Sequence, residues 1–213
     1  MFRFRNQLCI SFSGTSRTDG RLVVNILYVV LNPTDYSVAA QYVMDYPDRR
    51  AWEKNWGFFD HDGELMAVYD IAPRHKVLRV EGYKAELWGE TDVPPELVQA
   101  VGLPRGGAPP IRVGDEYWCF YHGVVKLGRH RQYGMGLYCF EARPPFRITR
   151  YSPAPLLWAD EQDRWGDAHP GVIWPGGAIL KGDVWQVGMG YQDRWQEVAC
   201  YQHAQLEKSL VTV

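Results

Sequence analysis

The sequence lacks any long run of apolar residues or of like charge. Its longest apolar stretch, ILYVVL at positions 26–31, is far too short to cross a bilayer. Charged residues interrupt the N-terminal stretch MFRFRNQLCISFSG, so it has no uninterrupted apolar centre of the kind found in signal peptides. The net charge of -2 gives no electrostatic reason to expect nucleic acid. These absences predict a cytoplasmic protein that binds neither a membrane nor nucleic acid.

Cysteine is scarce, and the four residues Cys9, Cys119, Cys139 and Cys200 form no CxxC pair. Each lies in an apolar strand-like run, which predicts buried free thiols, with a disulfide or a metal role as the alternative. Cys119 and His122 look like a ligand pair, but residues three apart on a strand point to opposite faces. The chain also has no nucleotide-binding glycine motif and no metal-spacing motif, so we expect no cofactor and no metal.

Long helical patterns are also missing. Residues 94–102, PPELVQAVG, are the one stretch that predicts a helical turn or two, with prolines at its start and a glycine at its end. Elsewhere short apolar runs are broken by Gly and Pro, and the chain has nine Trp and thirteen Tyr. This pattern predicts an all-β protein, and the length of 213 residues predicts a single domain over residues 1–213.

An internal repeat is the most informative feature of the sequence. Each unit has a polar turn, an apolar strand and then small or polar residues, and each is followed by another strand. The units read RNQLCISFSGTS from Arg5, DGELMAVYDIAP from Asp62, GDEYWCFYHGVV from Gly114 and GDVWQVGMGYQD from Gly182. Their spacing is in the range of β-propeller blades, which predicts a β-propeller with about four blades; chance similarity among amphipathic hairpins is the alternative.

The propeller hypothesis places polar residues of different units close together. Asp70, His122 and Asp193 fall at or near the strand ends of three units. Corresponding strand ends of a propeller surround one mouth of its central channel, where such proteins commonly bind ligands. We therefore expect these three residues to converge in space.

Four motifs together resemble the five-bladed β-propellers of glycoside hydrolase family 130. They begin at Trp52 and end at Asp193, and they read EKNWGFF…GELMAVYDIAPRHKVLRV, GGAPPIRVGDEYWCFYHGV, YGMGLYCFEARPPFRITRYSPAPLL and WPGGAILKGDVWQVGMGYQD. That family contains mannoside phosphorylases and β-mannoside hydrolases. The resemblance implies a protein that acts on mannose-containing or related oligosaccharides, with inorganic phosphate as a possible co-substrate.

The resemblance also implies roles for particular residues. Lys54 and His122 are similar to members of the family's phosphate-binding cluster, and Asp193 matches a position that contacts the sugar where the bond is cleaved. Converging cationic donors suit a phosphate dianion. Asn55 lies beside Lys54 before the predicted strand LMAVYDI, and Arg74 lies after it. Both complete the predicted substrate-binding set. Each of these residues has a structural alternative, such as a solvated lysine, a packing histidine or a turn aspartate.

The resemblance fails at the proton donor that glycosidic cleavage needs. The family's essential acid lies in an early motif that combines an acidic residue, proline and arginine, and this chain has none near its start, so the catalytic residue is left unassigned. We expect a four-blade remnant without a first blade, with another carboxylate of this chain as the alternative. A non-catalytic carbohydrate-binding or scaffolding propeller is the rival function. Open sheet edges tend to be covered or paired, which predicts a homo-oligomer.

Overall fold

The computed structural model describes residues 1–127, 130–159 and 171–213. In these residues the chain forms four antiparallel β-sheets and two helices of seven residues each, α1 (Pro95–Val101) and α2 (His203–Ser209). The predicted all-β class is confirmed, and α1 lies where the proline-rich stretch at residues 94–102 predicts a helix. No helix in the described ranges is long and apolar enough to span a membrane.

The sheets follow one another along the chain. The first sheet contains β1 (Phe2–Phe4), β2 (Gln7–Thr18), β3 (Arg21–Leu31) and β4 (Val38–Val43), and the second contains β5 (Gly57–His61), β6 (Glu64–Asp70), β7 (Arg74–Glu81) and β8 (Lys84–Asp92). The third contains β9 (Leu103–Arg105), β10 (Ile111–Val113), β11 (Glu116–Leu127), β12 (His130–Glu141), β13 (Ile148–Tyr151), β14 (Leu157–Trp158) and the C-terminal β18 (Val211–Thr212). The fourth contains β15 (Ile173–Lys181), β16 (Val184–Tyr191) and β17 (Trp195–Gln202).

The four repeat units occupy equivalent positions in the four sheets. Each begins in the turn between two neighbouring strands, namely β1–β2, β5–β6, β10–β11 and β15–β16. These turns contain residues with positive φ, such as Asn6 at 64°, Gly63 at 87°, Gly114 at 61° and Gly182 at 59°. Asn and Gly tolerate this conformation, which tight hairpin turns require. The repeat therefore predicted one strand pair of every sheet correctly.

Three hydrophobic cores join consecutive sheets face to face. Neighbouring residues of a strand point to opposite faces, so in β5 Phe58 packs toward the first sheet and Phe59 toward the third. In β11 Tyr117 likewise packs toward the second sheet and Trp118 toward the fourth. The second and third sheets are therefore buried on both faces.

The first and fourth sheets each have one face that no core covers, and among the described residues no fourth core joins them. Phe12 on the first sheet is 44% exposed, and Val198 on the fourth is 65% exposed. Open sheet edges were expected from the sequence. In the structure one face of the first sheet and one face of the fourth sheet are uncovered, because consecutive sheets pack face to face.

Two sequence predictions about single residues need correction. Cys9, Cys119 and Cys139 are buried free thiols as predicted, but Cys200 is exposed, because it points to the uncovered side of β17. His122 was expected at the end of its strand. It lies within β11, which continues to Leu127 because residues 123–127 stay paired with β12.

Candidate functional site

A polar cavity of about 410 Å³ opens where the segment between β4 and β5 meets the end of β6 and β9. We call it the mouth pocket. It is lined by Arg50, Trp52, Lys54, Asn55, Tyr69, Asp70, Ile71, Ala72, Leu103, Pro104, Arg105 and Gly106. It thus contains two of the predicted site residues, Lys54 and Asn55.

The mouth pocket carries an excess of positive charge. Three of its side chains are cations, Arg50, Lys54 and Arg105, against the single carboxylate of Asp70. Arg50 forms an ion pair with Asp70, whereas neither Lys54 nor Arg105 has an ion-pair partner within the described parts of the chain. Burial raises the pKa of Asp70, and the hydrogen bond from Arg50 opposes this shift. Two cations are therefore available to an anionic ligand.

Backbone hydrogen bonds and a buried carboxylate position the segment that carries Lys54. Val24 of β3 donates its N–H to the carbonyl of Ala51 at 3.0 Å, and the Glu53 N–H donates to the carbonyl of Val24 at 2.9 Å. The buried Glu53 carboxylate accepts hydrogen bonds from the Trp56 indole and the Tyr69 hydroxyl, each at 2.9 Å. Lys54 is thus held on a fixed backbone, and Trp56 is a core residue.

The Gly106–Gly107 turn passes very close to this segment. Asn55 has a φ of 64°, a left-handed conformation that Asn tolerates better than most residues. A Cβ atom added at Gly106 would lie 1.9 Å from the Asn55 carbonyl oxygen, and one at Gly107 would lie 2.6 Å from the Phe120 carbonyl oxygen. A side chain therefore fits at neither glycine.

Gly106→Ala is expected to destabilise the fold by about 1 to 3 kcal/mol, the usual cost of overpacking. The new methyl group would displace Asn55, and Lys54 would move with it. Urea unfolding measures the loss. Gly177→Ala is the matched control, because a Cβ atom there meets nothing within 4 Å. Equal stability of the two variants would contradict the close approach.

His122 lies behind the wall of the mouth pocket rather than in its lining. It is 5% exposed and pairs in register with Arg105 of β9. Burial, with the Arg105 guanidinium as the second cause, lowers the pKa of His122 to about 4. Its Nδ1 atom has no hydrogen-bond partner among the described residues. At neutral pH His122 is therefore an uncharged group.

The structure does not bring Arg74 or Asp193 into the lining of the mouth pocket. Arg74 begins β7 and forms ion pairs with Glu90 and Asp92 of β8. Asp193 is exposed in the turn between β16 and β17, with a φ of 51°. Asp70 ends β6 as predicted and does line the pocket. Of the three residues expected to converge, only Asp70 lines the pocket, with His122 directly behind it.

Two larger cavities lie between the uncovered faces of the first and fourth sheets. The near cavity, of about 940 Å³, shares Asn55 with the mouth pocket. The far cavity, of about 660 Å³, is lined by residues of the first strand pair of every sheet, including Phe2, Phe58, Ile111 and Ile179. The two cavities share Met1, Pro109, Gly177, Gly188 and Val198. Together they form one cleft on which the four sheets converge.

The near cavity combines an aromatic platform with polar groups. Trp174 is 41% exposed and lines it beside Gly190. Gln196, which lies in the same cross-strand row as Trp174 and Gly190, supplies an amide group. A ligand whose ring has an apolar face and polar edges fits such a surface. Among the described residues no group of three or more His, Cys, Asp or Glu is placed to hold a metal ion.

Arg50 and Arg105 were not predicted as site residues from the sequence. Arg50 belongs to DYPDRR, shortly before the box EKNW, and Arg105 directly precedes GGAPP, so both adjoin recognised motifs. Only the tertiary structure brings Arg50 and Arg105 to the same pocket.

Four sheets that converge on a cleft with a cationic pocket at one end define a fold of the kind seen in propeller glycosidases. A solved structure similar to this one is the β-1,2-mannobiose phosphorylase from Listeria innocua in complex with β-1,2-mannobiose, with a TM-score of 0.68 and 14% sequence identity. The match covers 98% of this chain and 58% of the phosphorylase chain. At this identity the likeness establishes the fold alone.

A second similar structure is an exo-1,5-α-L-arabinanase from a bovine ruminal metagenomic library. Its TM-score is 0.45 at 10% identity, over 92% of this chain and 75% of the arabinanase chain. No protein-family model and no curated protein matches the sequence.

Proposed function

We propose that the protein processes mannose-containing or related oligosaccharides, cleaving a glycosidic bond by phosphorolysis or hydrolysis. The observation that carries the proposal is the wall shared by two cavities. Asn55 lines both the cationic mouth pocket and the near cavity with its aromatic platform. A phosphate in the first and a sugar in the second would lie side by side, as phosphorolysis requires.

The proposed phosphate site consists of Lys54 and Arg105, with Arg50 beside them and with Asn55 as a polar neighbour. Charge-assisted hydrogen bonds from such donors are the strong ones in proteins. His122 is uncharged at neutral pH, so its proposed part is that of a neutral hydrogen-bonding group behind the pocket wall. A substrate-binding role for Arg74 and a sugar-binding role for Asp193 stay predictions.

The sugar site is proposed at the near cavity, with the ring on Trp174. Inverting cleavage needs a proton donor on one side of the bond and a nucleophile on the other. Glu197 pairs in register with Met189, whose side chain lies in the core between the third and fourth sheets, so its carboxylate points away from the face that carries Trp174. The proton donor stays unassigned.

The rival function is a non-catalytic carbohydrate-binding propeller, and one experiment separates the two. The protein is incubated with β-1,2-mannobiose, with and without inorganic phosphate. Mannose 1-phosphate among the products indicates phosphorolysis, and mannose alone indicates hydrolysis. Binding without any product supports the rival. The absence of both binding and turnover would contradict the proposed function in either form.

Lys54→Ala is expected to weaken phosphate binding by roughly tenfold to a hundredfold, since a hydrogen bond to a charged group contributes about 1.5 to 3 kcal/mol. Titration calorimetry with inorganic phosphate measures the change. Lys84→Ala is the matched control. The Lys84 amine lies 5.8 Å from the Tyr83 ring centroid, and the Lys54 amine lies 5.8 Å from that of Trp52, but Lys84 lines none of the three cavities. Equal phosphate affinity in both variants would exclude Lys54 from the site.

The finer features implied by the family resemblance stay predictions: the five-bladed type, the number of blades, the single domain over residues 1–213, the cytoplasmic location and a homo-oligomer through an open sheet edge.

A further inference from the structure

We propose that Asp70 makes the mouth pocket selective for an oxyanion that carries a proton, so that the pocket binds hydrogen phosphate and rejects sulfate. This inference rests on the proposed function, because it takes the phosphate site from there. It adds the protonation state of the bound anion, the orientation of that anion and the residue that determines both.

The net charge of the mouth pocket fits a dianion but does not select among dianions. Arg50 and Asp70 neutralise each other in their ion pair, which leaves Lys54 and Arg105 as two cations without an ion-pair partner in the described part of the chain. At neutral pH both forms of inorganic phosphate keep a proton, whereas sulfate has lost both of its protons. Discrimination between the phosphate dianion and sulfate therefore depends on a group that recognises the proton.

One carboxylate oxygen of Asp70 is available to recognise that proton. The Oδ2 atom accepts a hydrogen bond from Arg50, whereas the Oδ1 atom has no hydrogen-bond partner among the described residues and is not fully buried. The Asp70 side chain is 13% exposed and lines the mouth pocket. The pair with Arg50 favours the charged carboxylate, which only accepts hydrogen bonds. An anion beside Lys54 and Arg105 therefore meets an acceptor as well as donors.

This open acceptor distinguishes anions by their protons. The P–OH group of hydrogen phosphate can donate to Oδ1 of Asp70, and such an O–H···O⁻ bond to a charged acceptor is one of the strong hydrogen bonds in proteins. Sulfate has no proton to donate, so its oxygen atoms would face a like charge in a partly buried site. A site built to bond a ligand's hydroxyl group rejects an analogue without it, because the polar group of the site stays unpaired.

Asp70 also orients the bound phosphate. Asn55 lines both the mouth pocket and the near cavity, whereas Asp70 lines the mouth pocket alone. A phosphate whose OH group bonds to Asp70 directs its unprotonated oxygen atoms to the cations and to the wall formed by Asn55. The unprotonated oxygen atoms are the nucleophilic ones, so this orientation favours attack on a sugar in the near cavity.

Titration calorimetry at neutral pH with inorganic phosphate, arsenate and sulfate tests the inference. Arsenate is the matched ligand, because it is tetrahedral and keeps a proton at this pH. We expect phosphate and arsenate to bind with similar affinity and sulfate to bind roughly tenfold to a hundredfold more weakly, the value of a hydrogen bond to a charged group. Equal affinity for sulfate and phosphate would overturn the inference and leave the phosphate site of the proposed function intact.

Asp70→Asn tests the assignment to this residue. Asn keeps the size of the side chain but presents an NH₂ donor to sulfate. If Asp70 only positions Arg50, the substitution changes the affinity for both anions by the same factor. We expect instead that the affinity for sulfate rises about tenfold or more relative to that for phosphate. Asp92→Asn is the matched control, because Asp92 also pairs with an arginine, Arg74, but lines none of the three cavities.

A folded Asp70→Asn protein that keeps the wild-type preference for phosphate over sulfate would overturn the assignment. If this variant does not fold, the comparison of the three anions on the wild-type protein decides by itself. If none of the three anions binds, the proposed phosphate site fails together with the inference.

Discussion

Lowering the pH from 7.5 to 5 is expected to reduce the free energy of unfolding by about 4 kcal/mol, about 2 kcal/mol from each of two histidines. Burial lowers the pKa of both His75 and His122 to about 4, against an ordinary value of 6.5. Between these two pH values the unfolded chain binds protons that the folded chain does not. The stabilisation is therefore complete above pH 6.5 and is lost as the pH falls toward 4.

His75 shows the physical cause most clearly. Its ring is fully buried between the second and third sheets, its Nδ1 atom donates to the Phe146 carbonyl at 3.0 Å, and its Nε2 atom accepts from the Tyr138 hydroxyl at 3.3 Å. Both contacts suit a neutral imidazole, whereas a second proton would place a positive charge in a fully buried site.

Urea unfolding at a series of pH values measures the effect. In His75→Gln, or in His122→Gln, we expect about half of the pH dependence between pH 7.5 and 5 to disappear. A wild-type protein equally stable at pH 7.5 and 5 would contradict the assignment of neutral, buried histidines.

Glu53→Ala is expected to destabilise the fold by about 3 to 5 kcal/mol, the cost of removing one partner from a buried charged network. The substitution leaves the Trp56 indole and the Tyr69 hydroxyl without their acceptor, and both side chains are buried. It also removes the acceptor of the Arg50 backbone N–H. Phosphate binding should weaken as well, because Glu53 fixes the backbone on either side of Lys54.

Two controls accompany this variant in thermal and urea unfolding. Glu53→Gln keeps one acceptor oxygen, so its loss of stability should be clearly smaller. Glu86→Ala removes an exposed carboxylate paired with Arg79, and exposed pairs contribute about 0 to 1 kcal/mol. A Glu53→Ala protein as stable as the Glu86→Ala protein would show that the buried carboxylate does not hold the segment.

Local sequence signals predicted the repeating part of the fold well. Turn pairs such as Asp62–Gly63 and Gly182–Asp183 mark hairpins by their own backbone preferences, so the second strand of each sheet could be found without tertiary information.

The candidate site could be predicted only in part. Lys54 and Asn55 lie in a recognisable box, but Arg50 and Arg105 are 55 positions apart, and no local signal predicts that they face one cavity. His122 was assigned to a strand end because its small and polar neighbours resemble a turn, whereas cross-strand pairing with β12 extends the strand past it. The uncovered sheet faces could not be predicted either. The local sequence of a strand does not show whether another sheet packs on it.

A crystal structure with inorganic phosphate and β-1,2-mannobiose tests the central claim most directly. The claim is that anion and sugar occupy adjoining cavities on the two sides of Asn55. We predict a phosphate oxygen within hydrogen-bond distance of the Lys54 amine and a sugar ring on Trp174. A phosphate held away from the mouth pocket, or a sugar bound outside the cleft between the first and fourth sheets, would contradict it.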